Sequence, residues 1–410
     1  MTDTITVIGA SLAGVHAART LRQKGFEGRL VVVDAQVHTP YDRPPLSKQL
    51  LSGEDSVERI ALPAGDELDI DWRLGTRAVG LDTEARSVEV VTVQGDTGTV
   101  PYDQLVIATG AAARTLPGTD GIHGVHVLRT LDDALAMKGE IEAGARRVVV
   151  IGAGFIGAEV AATCRKLGCD VTMVEALPVP LERALGAEMG MVCARLHESN
   201  GVDVRLGTGV DHLSTDTGAD GHRRVRAVEL TDGTSIAADL VVVGIGVQLN
   251  TGWLEGSGLT LDDGIVVDDT LLAAPGVVAA GDLVRYPSAR YGQSLRVEHW
   301  DHAIVSGEAA AKRLLAEQRG EEPAVFDPVP WFWSDQYDRK IHLAGRAAGH
   351  DQVRVVHGDV DDFVFVAVYS QGDRFLGVLG MNRPRHVVRL RALLDKGADL
   401  AAAIELAESM

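Results

Sequence analysis

Two segments of this chain follow one plan: an apolar run, a sharp glycine turn, a helix-like stretch, then a second apolar run closed by an acid. The first is ITVIGASLAGVHAARTLRQKG, with Gly9, Ser11 and Gly14 at the three small-residue positions and Asp34 closing LVVVD. The second is RVVVIGAGFIGAEVAATCRKLG, with Gly152, Gly154 and Gly157, followed by VTMVE and Glu175. A turn of this kind aims the backbone N–H groups of a helix start at a pyrophosphate, and the acid falls where it can accept from a ribose diol. One such motif is a weak signal. Two of them point to two dinucleotides in one molecule, and the commonest reason for that is electron transfer between them.

At 410 residues the chain exceeds what one core usually holds, so two or three domains are expected. Its 46 glycines suit an α/β protein rich in tight strand-to-helix turns. The formal charge of −19 argues against nucleic acid or an anionic membrane as bulk partner, and it also serves plain solubility. No apolar stretch reaches the ~18 residues that span a bilayer. The N-terminus enters a strand at once, which leaves no signal peptide, and three cysteines suit a reducing compartment. A cytoplasmic location and no membrane partner are therefore expected, as a monomer or weak homodimer.

Strands and helices alternate as in a doubly wound fold. After the first unit comes HTPYDRPPLSKQLLSG, whose prolines preclude a regular strand and delay any helix. SVEVVTV alternates like part of an antiparallel hairpin, and QLVIATG returns as a buried strand. A second buried strand, DLVVVGIG, ends the second unit, and beyond Pro323 the texture changes to WFWSDQY and an alternating FVFVAVY. The expected fold class is α/β: two Rossmann-like dinucleotide-binding domains, the second inserted in the first, plus a C-terminal α+β domain. The expected limits are 1–112 and 239–320 for the first, 113–238 for the second and 321–410 for the last.

Nine segments together are similar to one family almost end to end: GASLAG, PYDRPPLSK, LVIATG, LRTLDD, GAGFIGAEVAA, GIGVQLN, AAGD, RVEHWDHA and WFWSDQY. The chain resembles the FAD-dependent NADH:ferredoxin reductases that serve bacterial oxygenases, with a glutathione-reductase-like arrangement. The resemblance implies an enzyme that passes a hydride from NADH to FAD, then single electrons to an iron–sulfur ferredoxin feeding a haem mono-oxygenase or Rieske dioxygenase. It implies FAD against Gly9, Ser11, Leu12, Ala13, Gly14 and Asp34, with Arg43, Lys48 and Arg129 along it and Ala78 and Trp300 at its ends. Ala108, Thr109 and Gly110, then Gly281 and Asp282, and Glu298 and His299 complete that set. Asp282 would contact the ribityl chain, although Asp is also a favoured helix N-cap. Ser11 departs from the ideal, since a side chain there limits how closely a pyrophosphate approaches, though its hydroxyl can donate.

The second fingerprint has all three glycines and is assigned to NADH, with Phe155 and Ile156 in its turn. Glu175 accepts from a ribose diol and repels the phosphate that NADP carries there, so NADH is expected over NADPH. Arg183 nearby offers a phosphate or pyrophosphate contact, and Gly246 allows the nicotinamide a close approach. Glu159, two residues past Gly157, reads on its own as charge near a helix N-terminus. The resemblance adds a pairing with Lys48 near flavin N5, which makes Lys48 and Glu159 the catalytic candidates.

Disulfide reductases of this fold carry a CxxxxC pair just beyond the first unit, where this chain has PYDRPPLSKQLLSG and no cysteine. Cys164 and Cys169 have that spacing but lie in the second unit, read as packing residues. No metal-ligand cluster is apparent. Trp300, Trp331 and Trp333 would frame the flavin edge, with core packing an equal reading for the last two. RPRHVVRLR places Arg383, Arg385, Arg389 and Arg391 without an intervening acid, a candidate ferredoxin-docking patch or a solvated helix face, which Arg339 and Lys340 would extend. A rubredoxin reductase, or a redox-responsive flavoprotein acting as a binding or signalling module, are the alternatives.

Overall fold

The computed structural model describes residues 4–63, 68–218 and 221–410, and in it both fingerprints fold as strand, turn and helix. The first comprises strand β1 (Thr4–Ile8), helix α1 (Leu12–Gln23) and strand β2 (Arg29–Val33). The second comprises strand β3 (Arg147–Ile151), helix α2 (Phe155–Lys166) and strand β4 (Asp170–Glu175). In each unit the two strands pair in parallel, which requires a crossover, and the helix supplies it. The strands read as unbroken apolar runs because both faces of such a sheet are covered.

The chain divides into two compact units. Met1–Asp42, Val57–Ala112 and Gln248–Pro330 form the first. Its six-stranded sheet runs Leu272–Ala274, Val277–Ala279, Gln104–Ile107, β1, β2, Asp71–Arg73. All neighbours are parallel except the outermost Leu272–Ala274. The SVEVVTV segment is the middle strand of a separate antiparallel sheet, Ser87–Thr92 between Thr76–Asp82 and Thr97–Pro101. A long helix, α3 (Trp300–Arg319), crosses α1 so closely that a Cβ on Gly307 would lie 2.3 Å from the Ala13 carbonyl oxygen.

Arg43–Ser56, Ala113–Val247 and Trp331–Met410 form the second unit. Its parallel sheet runs Asp203–Leu206, β4, β3, Leu240–Val243, Val125–Val127. The C-terminal part adds a five-stranded antiparallel sheet. It begins with β5 (Trp331–Gln336) and continues spatially through Arg339–Gly345, Arg374–Met381, Val364–Gln371 and Gln352–Asp359. Helix α4 (Pro384–Asp395) packs on it through Val387, Leu390 and Leu394.

One strand differs in place from the sequence expectation. Leu240–Val243, assigned with 239–320 to the first domain, is hydrogen-bonded to β3 in the second sheet, and its compact unit continues to Val247. The reason is physical: LVVV is buried throughout, so its pattern marks a doubly covered strand without saying which sheet it joins. Among the described residues no helix is long and apolar enough to cross a membrane.

Candidate functional site

In both fingerprint turns the small residues divide the same labour. A Cβ on Gly9 would sit 2.2 Å from the Ala108 carbonyl oxygen, and one on Gly152 would sit 2.4 Å from that of Gly244. The third positions seat the helix on the turn: a Cβ on Gly14 or Gly157 would lie 1.8 or 2.1 Å from the carbonyl oxygen of the first glycine. The middle position is different. Ser11 and Gly154 are both helix N-caps in extended conformation (φ −87° and −75°), which any residue adopts, and Gly154 faces open space. Ser11 therefore costs the fold nothing, and its hydroxyl does not cap its own helix.

Each closing acid is locked to its turn. Asp34 accepts from the Ala10 N–H at 2.6 Å and the Gln36 N–H at 2.8 Å. Glu175 accepts from the Ala153 and Leu177 N–H groups at 2.9 Å each. Both carboxylates keep lone pairs for further donors, as ribose recognition needs. Neither α1 nor α2 has a side-chain cap, so first-turn amides stay open to a pyrophosphate. Both cradles fit a dinucleotide.

Within the first unit, Thr109 and Asn250 bond reciprocally, the Thr109 hydroxyl to the Asn250 carbonyl and the Asn250 amide to the Thr109 carbonyl, each at 2.9 Å. The Asn250 N–H also donates to Gly110 at 2.9 Å. Gly281, at φ +83°, donates to the Ser306 hydroxyl at 2.9 Å and lies beside Ala13. Asp282 follows in a turn that leads into strand Val284–Ser288, so its helix N-cap reading falls; the next helix is α3, starting at Trp300. His299 is the N-cap residue of α3, Glu298 accepts from Arg296, and Ala78 lies at a β-bulge in Thr76–Asp82. The Trp300 indole donates to Asp42 at 2.7 Å, a partner that sequence reasoning missed because the two lie far apart along the chain.

The second unit holds Arg43, Lys48 and Arg129 as well as the second fingerprint. Arg43 opens the 3-10 turn Pro44–Ser47, and the Arg129 N–H joins the Thr130 capping box of helix Leu131–Glu142 through Asp133. Lys48 and Glu159 meet: the ammonium donates to Glu159 Oε2 at 2.6 Å, with the carboxylate side chain only 5% exposed. Two further hydroxyls, Ser47 at 2.6 Å and Ser334 at 2.7 Å, donate to the same carboxylate. Without such donors a buried ion pair is costly. Neither serine was expected from the sequence, since serine in a turn or a strand carries no local signal.

Phe155 stacks edge-on to Phe332 at 4.4 Å, while Ile156 and Gly246 (φ +97°) are exposed. Arg183 lies on the first turn of helix Glu182–Ser199, in a cleft shared with Glu182, Glu188, His350 and Asp351. The three cysteines are buried free thiols. The Cys164 hydrogen bond pulls the Cys169 thiol down to about 7 and holds Cys164 up.

The core reading of Trp331 and Trp333 falls: along β5 they alternate with buried Phe332 and Ser334 and are themselves half-buried. Arg391 lies over the Trp331 ring at 5.1 Å, Arg383 is half-buried, and Arg385 and Arg389 are exposed. Arg339 pairs with Asp338 and Lys340 with Asp335, so neither adds an unopposed charge.

The pyridine nucleotide-disulphide oxidoreductase model matches residues 3–307, and the reductase C-terminal model matches 331–409. Rhodocoxin reductase of Rhodococcus erythropolis is 40% identical over 95% of this chain and 89% of its own. The ferredoxin–NAD(+) reductase component of the anthranilate 1,2-dioxygenase system of Burkholderia cepacia is 35% identical over 97% and 95%. Among solved structures, the covalent putidaredoxin reductase–putidaredoxin complex aligns with TM-score 0.90 and 32% identity, covering 99% of this chain and 98% of that one.

Proposed function

This chain belongs to the pyridine nucleotide-disulphide oxidoreductase family, and from that premise we propose that it is an NADH-dependent ferredoxin reductase of an oxygenase system, with FAD and NADH as cofactors. The observation that carries the reading is the pair of equivalent turns, each with its acid tied to the turn, combined with a PYDRPPLSK segment that holds no thiol. Bound FAD supplies two-electron acceptance from a hydride donor and one-electron delivery to an acceptor. The protein supplies the rest.

We assign FAD to the first fingerprint, with Asp34 on the ribose and Gly281 and Asp282 beyond it. NADH is assigned to the second, with Glu175 on the adenosine ribose. Lys48 is assigned to the flavin N5 side, where its ammonium, fixed by Glu159, lends positive charge. The acceptor is assigned to an iron–sulfur ferredoxin, which docks beside Trp331 through Arg383, Arg385, Arg389 and Arg391. The choice of an iron–sulfur acceptor, though not of its docking residues, is supported by the putidaredoxin held in the putidaredoxin reductase complex and by the ferredoxin–NAD(+) activity named for the anthranilate system relative.

The test is steady-state reduction of a ferredoxin with each nicotinamide. NADH is expected to exceed NADPH in kcat/KM by about 100-fold, because Glu175 faces the extra phosphate with a like charge. Glu175→Ala should shrink that ratio at least tenfold, chiefly through a lower NADPH KM. Equal use of both cofactors by the unaltered protein would sink the assignment.

A further inference from the structure

Helix α2 presents Phe155, Glu159 and Thr163 one turn apart on one face. Four residues of helix advance about 6 Å and two residues of strand about 6.6 Å, so a strand laid along this face meets successive turns with alternate side chains. β5 does this: Phe332 meets Phe155, and Ser334 meets Glu159. The proline-rich turn occupies the neighbouring side, where the Thr163 hydroxyl donates to the Ser47 carbonyl at 2.7 Å. The two oxygens of Glu159 thus answer to different segments. Oε2 accepts from Ser47 and Lys48, and Oε1 accepts from Ser334 of the C-terminal sheet.

The polarity continues inward. Gln336 Nε2 donates to Ser334 Oγ at 3.2 Å, which commits the single Ser334 proton to Glu159. Beyond it lies His197, whose Nδ1 is 2.8 Å from the Tyr337 hydroxyl. Burial pulls His197 down to about 4 and pushes the Tyr337 phenol up, so a neutral imidazole accepts from a protonated phenol. Its Nε2 then carries the hydrogen, and that atom and Gln336 Oε1 are both buried with no hydrogen-bond partner. Ser334 and Gln336 are 0% exposed, His197 2% and Glu159 4%, so bulk solvent does not reach any member.

We propose that Ser334 is a positioning residue for the Lys48–Glu159 pair, held in register by Gln336. The proposal rests on the catalytic reading of that pair. With Oε1 anchored, the carboxylate plane cannot swing, and Lys48 is held through Oε2. Without the Ser334 hydroxyl, one oxygen of a buried carboxylate loses its donor and the lysine loses its fixed counter-charge.

The experiment compares Ser334→Ala, Glu159→Gln and the double variant in the FAD-loaded protein by anaerobic stopped-flow mixing with NADH. A second readout is the rate of Lys48 acetylation by acetic anhydride in the FAD-free protein, followed by peptide mass spectrometry. Ser334→Ala is expected to slow hydride transfer about tenfold (~1.4 kcal/mol) and to raise Lys48 acetylation about threefold, in line with a lost bond to a charged group. In the Glu159→Gln background it should add nothing to either, since the two act as one unit. Ser334→Thr, which keeps the hydroxyl, should recover both. If Ser334→Ala proves unfoldable, Gln336→Met removes the orienting donor instead and should shift both readouts in the same direction. Unchanged Lys48 acetylation, or effects additive with Glu159→Gln, would overturn the proposal. Should Glu159→Gln leave hydride transfer intact while Ser334→Ala still raises acetylation, the positioning stands and the catalytic reading of the pair fails.

Discussion

His302 and His197 are imidazoles folded into apolar surroundings, and burial sets how each titrates. His302 is 3% exposed, stacked on Tyr286 at 5.5 Å and edge-on to Phe326 at 5.6 Å. Burial, with a smaller contribution from His299, pulls it down to about 3 against the opposing charge of Asp282, as burial pulls His197 to about 4. Both lie below the unfolded value of about 6.5, so in between the unfolded chain binds protons that the folded chain refuses. Stability is fully present above that value and is lost as pH falls from about 6.5 toward 4 for His197 and toward 3 for His302. The melting temperature should therefore drop between pH 7.5 and pH 5. His302→Phe keeps the ring contact and removes the titration, so its drop should be smaller by several degrees. Parallel declines for both proteins would show that His302 contributes nothing to the acid limb.

At the scale of the element, the turn of the second fingerprint separates holding a helix from holding a ligand. A Cβ on Gly157 meets the Gly152 carbonyl oxygen at 2.1 Å, whereas Gly154 has nothing within 4 Å. Gly157→Ala should cost about 2 kcal/mol, the typical penalty for overpacking, and lower the melting temperature. Gly154→Ser, which copies Ser11 of the first turn, supplies a favoured N-cap and should leave the melt unchanged. It should still raise the NADH KM about fivefold by intruding where the pyrophosphate approaches. A lowered melt for Gly154→Ser with an unaltered KM would contradict this division. The turns, their acids and the parallel strands were legible because period, glycine spacing and closing acid are all local. The limit of 239–320 put Leu240–Val243 in the first domain although DLVVVGIG had read as closing the second unit, and the cap reading set beside the flavin contact of Asp282 failed because the sequence hides the strand after it. Asp42, Ser47 and Ser334 could not be read at all. Their partners, Trp300 and Glu159, come from contacts more than a hundred residues away in sequence.

Across the whole molecule the question is how a chain of net charge −19 would receive an electron acceptor that is itself acidic. At long range the two repel, and at physiological ionic strength the Debye length of about 8 Å leaves only near charges effective. Arg385 and Arg389 are exposed on α4, which carries no acid until Asp395, whereas Arg339 and Lys340 are already opposed by Asp338 and Asp335. The exposed pair is thus a local positive surface, next to the Arg391–Trp331 stack, and it is the one to which docking is assigned. Replacing both with glutamate, Arg385→Glu and Arg389→Glu together, should slow ferredoxin reduction about tenfold or more at 50 mM salt, through association rather than chemistry. NADH oxidation by a small uncharged quinone should be unaffected, because that acceptor needs no charged surface. Raising the salt should slow the unaltered protein and narrow the gap between the two, as screening removes the advantage. Equal ferredoxin rates at low salt would place docking on another face, and a matching loss with the quinone would trace the defect to the interior.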